Sequence, residues 1–174
     1  METWRIVWRN GFAPVMDRTH LKAVASGLRA DDSRLTQGST CTPSPLMQVQ
    51  DWPCEGACCF GYGLLATTPG VTVSEVEQLF VETCFQADKR LGEPAGCRYF
   101  LNWFDDTPRD EMRRELLAEV ERAILLPVVA KGDAARNLLA QVRAGRTDLR
   151  PILADALEED GEEDAELLAE LRRC

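Results

Sequence analysis

The sequence predicts an all-α fold: a compact bundle of about seven or eight helices with a small acidic helical module at its C-terminal end. Three observations predict it. Apolar residues recur at spacings of three and four along most of the chain, bracketed by residues that start and stop helices. No stretch alternates apolar and polar residues for long enough to make a half-buried strand, Val71–Val73 being the nearest approach. The composition is globular, with 45% hydrophobic and 28% charged residues in a chain of 174. Such a length can bury roughly 68–70% of the unfolded surface.

In chain order, Trp4, Val7 and Trp8 share one face of a helix over residues 3–9, and Gly11 suits its stop. Thr19 can cap a second helix carrying Leu21, Val24 and Leu28, which ends near Asp31-Asp32. Residues 33–50 are rich in Thr, Ser, Gln and Pro. Pro43 and Pro45 are expected to forbid regular pairing there, and a loop of this length is often functional or disordered. Asp51-Trp52-Pro53 reads as a helix start, with Asp51 as cap and Pro53 in the first turn. From Trp52 to Ala66 the only charge is Glu55, so this helix is apolar on all sides and expected to be buried. Gly56, Ala57 and Gly61 would let neighbours approach it closely.

The clearest helix runs over residues 74–91. Ser74 caps it and Glu77 completes a capping box. Val76, Leu79, Phe80, Cys84, Ala87 and Leu91 form its inward stripe, Glu75, Gln78, Glu82, Lys89 and Arg90 face out, and Gly92 stops it. Pro94 opens a helix over 94–104 that gathers Cys97, Phe100 and Phe104, with Tyr99 and Trp103 adjacent, as the aromatic centre. Thr107-Pro108 opens the next, with the stripe Met112, Leu116, Val120 and Ile124 and a surface pair of Asp110 and Arg114. Pro127 follows its end. Three short helices then complete the chain. Asp133 caps one bearing Leu138, Leu139 and Val142, stopped by Gly145. Asp148 caps the next, with Leu149, Ile152, Leu153, Ala156 and Leu157, stopped by Gly161. The last spans Glu162 to Arg173, with Ala165, Leu168 and Leu171. Lys131-Gly132 therefore divides a helical main body, 1–130, from an acidic helical module, 131–174.

Charge and cysteine usage exclude several functions. Net charge is −9. Residues 151–174 hold nine acids and two bases, leaving twenty acids and eighteen bases in the rest. Binding nucleic acid requires clustered Lys and Arg, which this balance does not supply. Met1-Glu2-Thr3-Trp4 lacks the basic start of an export signal, and Gly56–Ser74, with four glycines and Pro69, makes a poor membrane span. A cytoplasmic location is expected, with the seven cysteines as reduced thiols.

The groups able to carry chemistry do not assemble into a recognisable set. Cys54 and Cys58 lie i,i+4 on the predicted buried helix, with Cys84 and Cys97 on the next two. Four thiolates could meet around zinc, but there is no CxxC pair, and free cysteine commonly serves as a small buried hydrophobe. Cys58-Cys59 has no basic neighbour to activate a thiolate. His20 is the only histidine and sits in a first helical turn, which argues against His-based hydrolysis. Asp105-Asp106 could hold a divalent ion or do acid–base work, yet Asp-Asp-Thr-Pro is equally a turn between helices, and Asp31-Asp32 reads the same way. Gly56 to Gly61 has phosphate-loop glycine spacing, but Tyr62 stands where lysine is required, no strand is expected before it, and no GxGxxG is present. Arg109, Arg113 and Arg114 interleave with Asp110, Glu111 and Glu115, as on a solvated mixed face. No catalytic, metal-binding or cofactor-binding residue is therefore assigned, and no cofactor is expected.

The run from Arg150 to Gly161, with Ala154-Asp155, Leu157-Glu158-Glu159 and Gly161, is followed by Ala165-Glu166 and Arg172. Over residues 136–173 this pattern resembles the repeat-companion domain abundant in planctomycete bacteria. Where that family carries aromatics beside its Ala-Asp, Leu153 and Ala156 stand here. Residues 1–130 are similar to proteins of unknown activity in the same bacteria, particularly at Asp51-Trp52-Pro53 and at Leu101-Asn102-Trp103-Phe104-Asp105-Asp106-Thr107-Pro108. The resemblance implies a bacterial cytosolic origin and a helical tail, and it says nothing of chemistry. The expected function is a non-enzymatic protein-interaction or adaptor role with another protein as partner. The alternative is a cysteine-based metal-binding or thiol-redox protein using Cys54, Cys58, Cys84 and Cys97.

Overall fold

The structure, a computed structural model, describes residues 2–44, 51–125, 141–142 and 145–159. The described residues contain seven α-helices and one two-stranded sheet, so the fold is all-α. The chain divides into two units, Met1–Ile124 and Leu125–Cys174.

In the first unit, α1 (Thr3–Val7) runs straight into a π-helical segment, Trp8–Phe12, in which the Ala13 N–H donates to the Trp8 carbonyl at 2.8 Å. Gly11 was expected to stop this helix. It lies inside the π turn instead, where its missing side chain lets Leu91 approach, and the wider turn buries Trp8 and Phe12 completely. α2 (Arg18–Ala30) buries the predicted Leu21, Val24 and Leu28. Its cap is Asp17 rather than Thr19, since the Asp17 carboxylate accepts the N–H groups of Thr19 and His20. The helix closes at Asp31 in the left-handed conformation, φ 51°.

The largest correction concerns residues 51–66. The helix expected from Trp52 begins only at Cys59, as α3 (Cys59–Thr67). The segment before it is extended. β1 (Cys41–Thr42) pairs antiparallel with β2 (Gly56–Ala57), in the register Cys41 to Ala57 and Thr42 to Gly56. The Ala57 backbone also bonds Arg34 and Thr36, and the Cys54 N–H donates to the Val71 carbonyl at 2.8 Å. A short buried strand and a buried helix both read as an unbroken apolar run, and the run alone does not separate them. The polar loop before residue 45 is accordingly hydrogen-bonded despite Pro43; Pro45 and residues 46–50 lie outside the described residues.

α4 (Val73–Leu91) is capped by Thr72 and Glu75, two residues earlier than the predicted Ser74 and Glu77, and closes at Gly92. α5 (Arg98–Asp106) starts four residues after Pro94, which lies in a turn. α6 (Arg109–Leu125) buries Met112, Leu116 and Val120 as expected. The core forms around Phe100, whose ring lies 5.1–6.3 Å from those of Trp4, Trp8, Phe12, Phe60, Trp103 and Phe104. Trp4 stacks on Trp103 at 3.5 Å. Close helix approach depends on α3 glycines. A Cβ on Gly63 would lie 2.5 Å from the His20 Cβ, and one on Gly61 would lie 2.5 Å from the Val76 Cγ1.

In the second unit, a 3-10 turn, Thr147–Leu149, leads into α7 (Arg150–Glu159), so Asp148 lies in the turn rather than capping the helix. Leu149, Leu153 and Ala154 are buried. Residues 141–142 are helical. The predicted Asp133 cap, Leu138 and Leu139, the Lys131-Gly132 boundary, the Gly161 stop and the Glu162–Arg173 helix lie outside the described residues.

Candidate functional site

The four cysteines weighed as ligands are divided between two apolar clusters. Cys54 packs with Cys41, Ala57, Val71, Val73 and Val76. It precedes α3, so it does not share a helical face with Cys58, and its thiol donates to the Gly56 carbonyl at 3.1 Å. Cys58 and Cys97 belong to the aromatic core, with Cys84 packed against it. Among the described residues, no group of three or more His, Cys, Asp or Glu is arranged to hold a metal ion. Burial pushes the thiols up: Cys41 to about 12, with the Glu77 carboxylate adding to the effect, and Cys58 and Cys97 each to about 11. Cys54, Cys59 and Cys84 are raised chiefly by the same desolvation. Thiols held in this form are poor nucleophiles at neutral pH.

The acids and bases serve to tie the chain together. Asp105 and Asp106 are the last two residues of α5, and the Asp105 Oδ1 accepts the Gly38 N–H at 2.8 Å. Gln37 completes the tether by donating to the carbonyls of Phe104 and Thr107. Arg109 and Arg113 do not lie idle on a mixed face. Arg109 donates to Asp31 Oδ1 at 2.8 Å and to the carbonyls of Leu35 and Asp32, while Arg113 donates to the Leu28 carbonyl and pairs with Asp31. Together they satisfy the C-terminal end of α2, where carbonyls lack helical partners. Arg113, not Arg114, pairs with Asp110, at 3.5 Å. Asp32 accepts from Arg34 and from the Tyr62 hydroxyl at 2.7 Å, and the Arg34 hydrogen bond chiefly holds its carboxyl well below the usual range. His20, half-buried in the first turn of α2, packs against Gly63.

Among the described residues the most buried charge is Glu119 on α6, 4% exposed. Its carboxylate accepts from Arg5 at 2.9 Å and from Arg9 at 2.7 and 2.9 Å, and Arg5 also bonds Glu115. Desolvation alone would raise the Glu119 pKa, but Arg9, then Arg5 and Arg122, hold it below the ordinary value. This clamp joins α1 and the π segment to α6.

What sequence reasoning missed is a set of exposed apolar side chains. Trp52, expected in a buried helix, is 60% exposed, and Val81 and Phe85 on α4 are 63% and 62% exposed. The helical period could have found the latter pair: at 100° per residue Val81 and Phe85 fall within about 60° of the exposed Gln78 on the outward face. The Trp52 carbonyl accepts the Val73 N–H at 3.0 Å, and Pro53 forms a bridge to Thr72, so the indole stands on a backbone pinned on its C-terminal side. No helix among the described residues is long and apolar enough to cross a membrane. No family model, curated protein or solved structure matches the chain.

Proposed function

We propose that this chain is a non-enzymatic interaction protein, an adaptor of the bacterial cytoplasm that docks another protein through Trp52. The observation that carries the reading is the 60% exposure of a tryptophan whose backbone is bonded to the start of α4. A large, rigidly mounted aromatic offers much contact area at little conformational cost, and Trp is enriched among the residues that dominate binding energy. The reading gains support from the duties of the polar groups, since Asp31, Asp32, Asp105, Arg109, Arg113 and Glu119 are all engaged in holding the fold. The raised thiols lend no support to metal or redox chemistry.

The test is an affinity pull-down from native cells at physiological salt, with the unaltered chain and Trp52→Ala side by side. A stoichiometric protein partner recovered by the first and lost from the second is the expected result. Recovery of the chain alone, or equal recovery by both, counts against the proposal.

A further inference from the structure

Most apolar residues of α4 turn inward, with Val73, Val76 and Ala87 fully buried. Val81 and Phe85 do not. They lie i,i+4, so they stand one above the other on the outward face. Glu75, Glu82 and Lys89 repeat at intervals of seven, which places them along one edge of that pair. The Glu82 carboxylate accepts from Gln86 at 2.7 Å and has no cationic partner among the described residues. The Lys89 ammonium has neither ion pair nor hydrogen bond there. Glu82 and Lys89 lie about 10 Å apart along the helix axis, too far to meet each other.

A second copy of α4, laid antiparallel, reconciles these charges. With the two-fold axis beside Phe85 and Gln86, Glu82 of each copy faces Lys89 of the other. The same operation brings the two Phe85 rings together, with Val81 flanking them on the side away from Glu82 and Lys89. An isologous contact must be self-complementary in this way. We propose that the outward face of α4 is the contact surface of a symmetric homodimer of this chain. Two apolar side chains per copy fall well short of the ~800 Å² per partner of a standard stable interface. The association is therefore weak, appearing between about 10 µM and 1 mM protein. It is also salt-sensitive, because exposed pairs are screened. The proposal stands on α4 and not on Trp52, so a strictly monomeric chain would leave the reading of Trp52 standing.

Sedimentation equilibrium of the full chain across that concentration range tests it, at low and at 1 M salt. The expected result is a monomer–dimer equilibrium that weakens with salt. Phe85→Glu and, independently, Val81→Lys abolish it, with the helical circular dichroism unchanged. Glu82→Lys and Lys89→Glu each weaken it by at least about fivefold. The double swap Glu82→Lys/Lys89→Glu restores it to within about threefold of the original. A monomer throughout the range overturns the proposal. So does a dimer indifferent to Phe85→Glu and Val81→Lys, or a double swap as weak as the single changes.

Discussion

Replacing Glu119 by Gln probes the strongest electrostatic tie in the main unit. The carboxylate is 4% exposed and accepts three charge-assisted bonds of 2.7–2.9 Å from Arg5 and Arg9. Gln keeps the shape but offers one neutral oxygen, and it turns an N–H₂ group toward two guanidinium groups. Removing one member of a buried ion pair leaves the other charges desolvated and costs about 3–5 kcal/mol. At roughly 4 °C per kcal/mol for a unit of this size, the midpoint should fall by about 12–20 °C. The assay is urea and thermal unfolding followed by the near-UV signal of Trp4, Trp8 and Trp103, with the urea slope unchanged. A pH series adds an independent check. The folded Glu119 pKa is lowered, so its contribution is fully present above the ordinary value of 4.5 and is lost as pH falls through the folded value. The stability gap between the two proteins should therefore narrow below pH 4.5. A cost under about 1 kcal/mol, or a gap that does not narrow in acid, refutes the reasoning.

Thr72→Ala should cost about 1 kcal/mol through loss of the capping box, while Ser74→Ala stays within about 0.5 kcal/mol, both read by urea unfolding. Gly63→Ala forces a Cβ to within 2.9 Å of the His20 Cα, a backbone atom with little freedom to yield. Overpacking of about 1–3 kcal/mol outweighs a helix-propensity gain of about 1 kcal/mol, so a net loss in unfolding free energy is expected. In a Cys174→Ser background, a thiol reagent at pH 8 should label Cys58 and Cys59 only at the rate of unfolding, because burial raises both thiols. Labelling as fast as that of free glutathione would contradict this.

The sequence made the long amphipathic helices legible because one face of each meets the core. Leu21, Val24 and Leu28 of α2 and Met112, Leu116 and Val120 of α6 are buried as their spacing implies. Helix starts were less legible for a local reason. Thr72 with Glu75 and Ser74 with Glu77 both satisfy the capping pattern, and only the bond from the Val73 N–H to the Trp52 carbonyl fixes where extended chain ends. The same segment hid the strand at Gly56–Ala57, since pairing with Cys41 and Thr42 is a contact between distant residues. Local periodicity does not encode such a contact.

The candidate surface was obscured by that one misplacement. Extending α3 back to Asp51 put Trp52 on a helix expected to be buried, whereas the pairing of Pro53 with Thr72 puts it outside. The polar residues show the converse. Asp31 and Asp105 each stand beside a second carboxylate in the sequence, a pattern that suggests chemistry, yet each joins elements far apart in the chain, Asp31 to Arg109 and Gly38 to Asp105. A buried or bridging charge adds little net stability but is costly to break. Such groups therefore specify which ends of which helices meet. In this chain these bonds tie the ends of α2, α5 and α6 to distant segments, and the three most exposed large apolar side chains among the described residues, Trp52, Val81 and Phe85, lie outside that network.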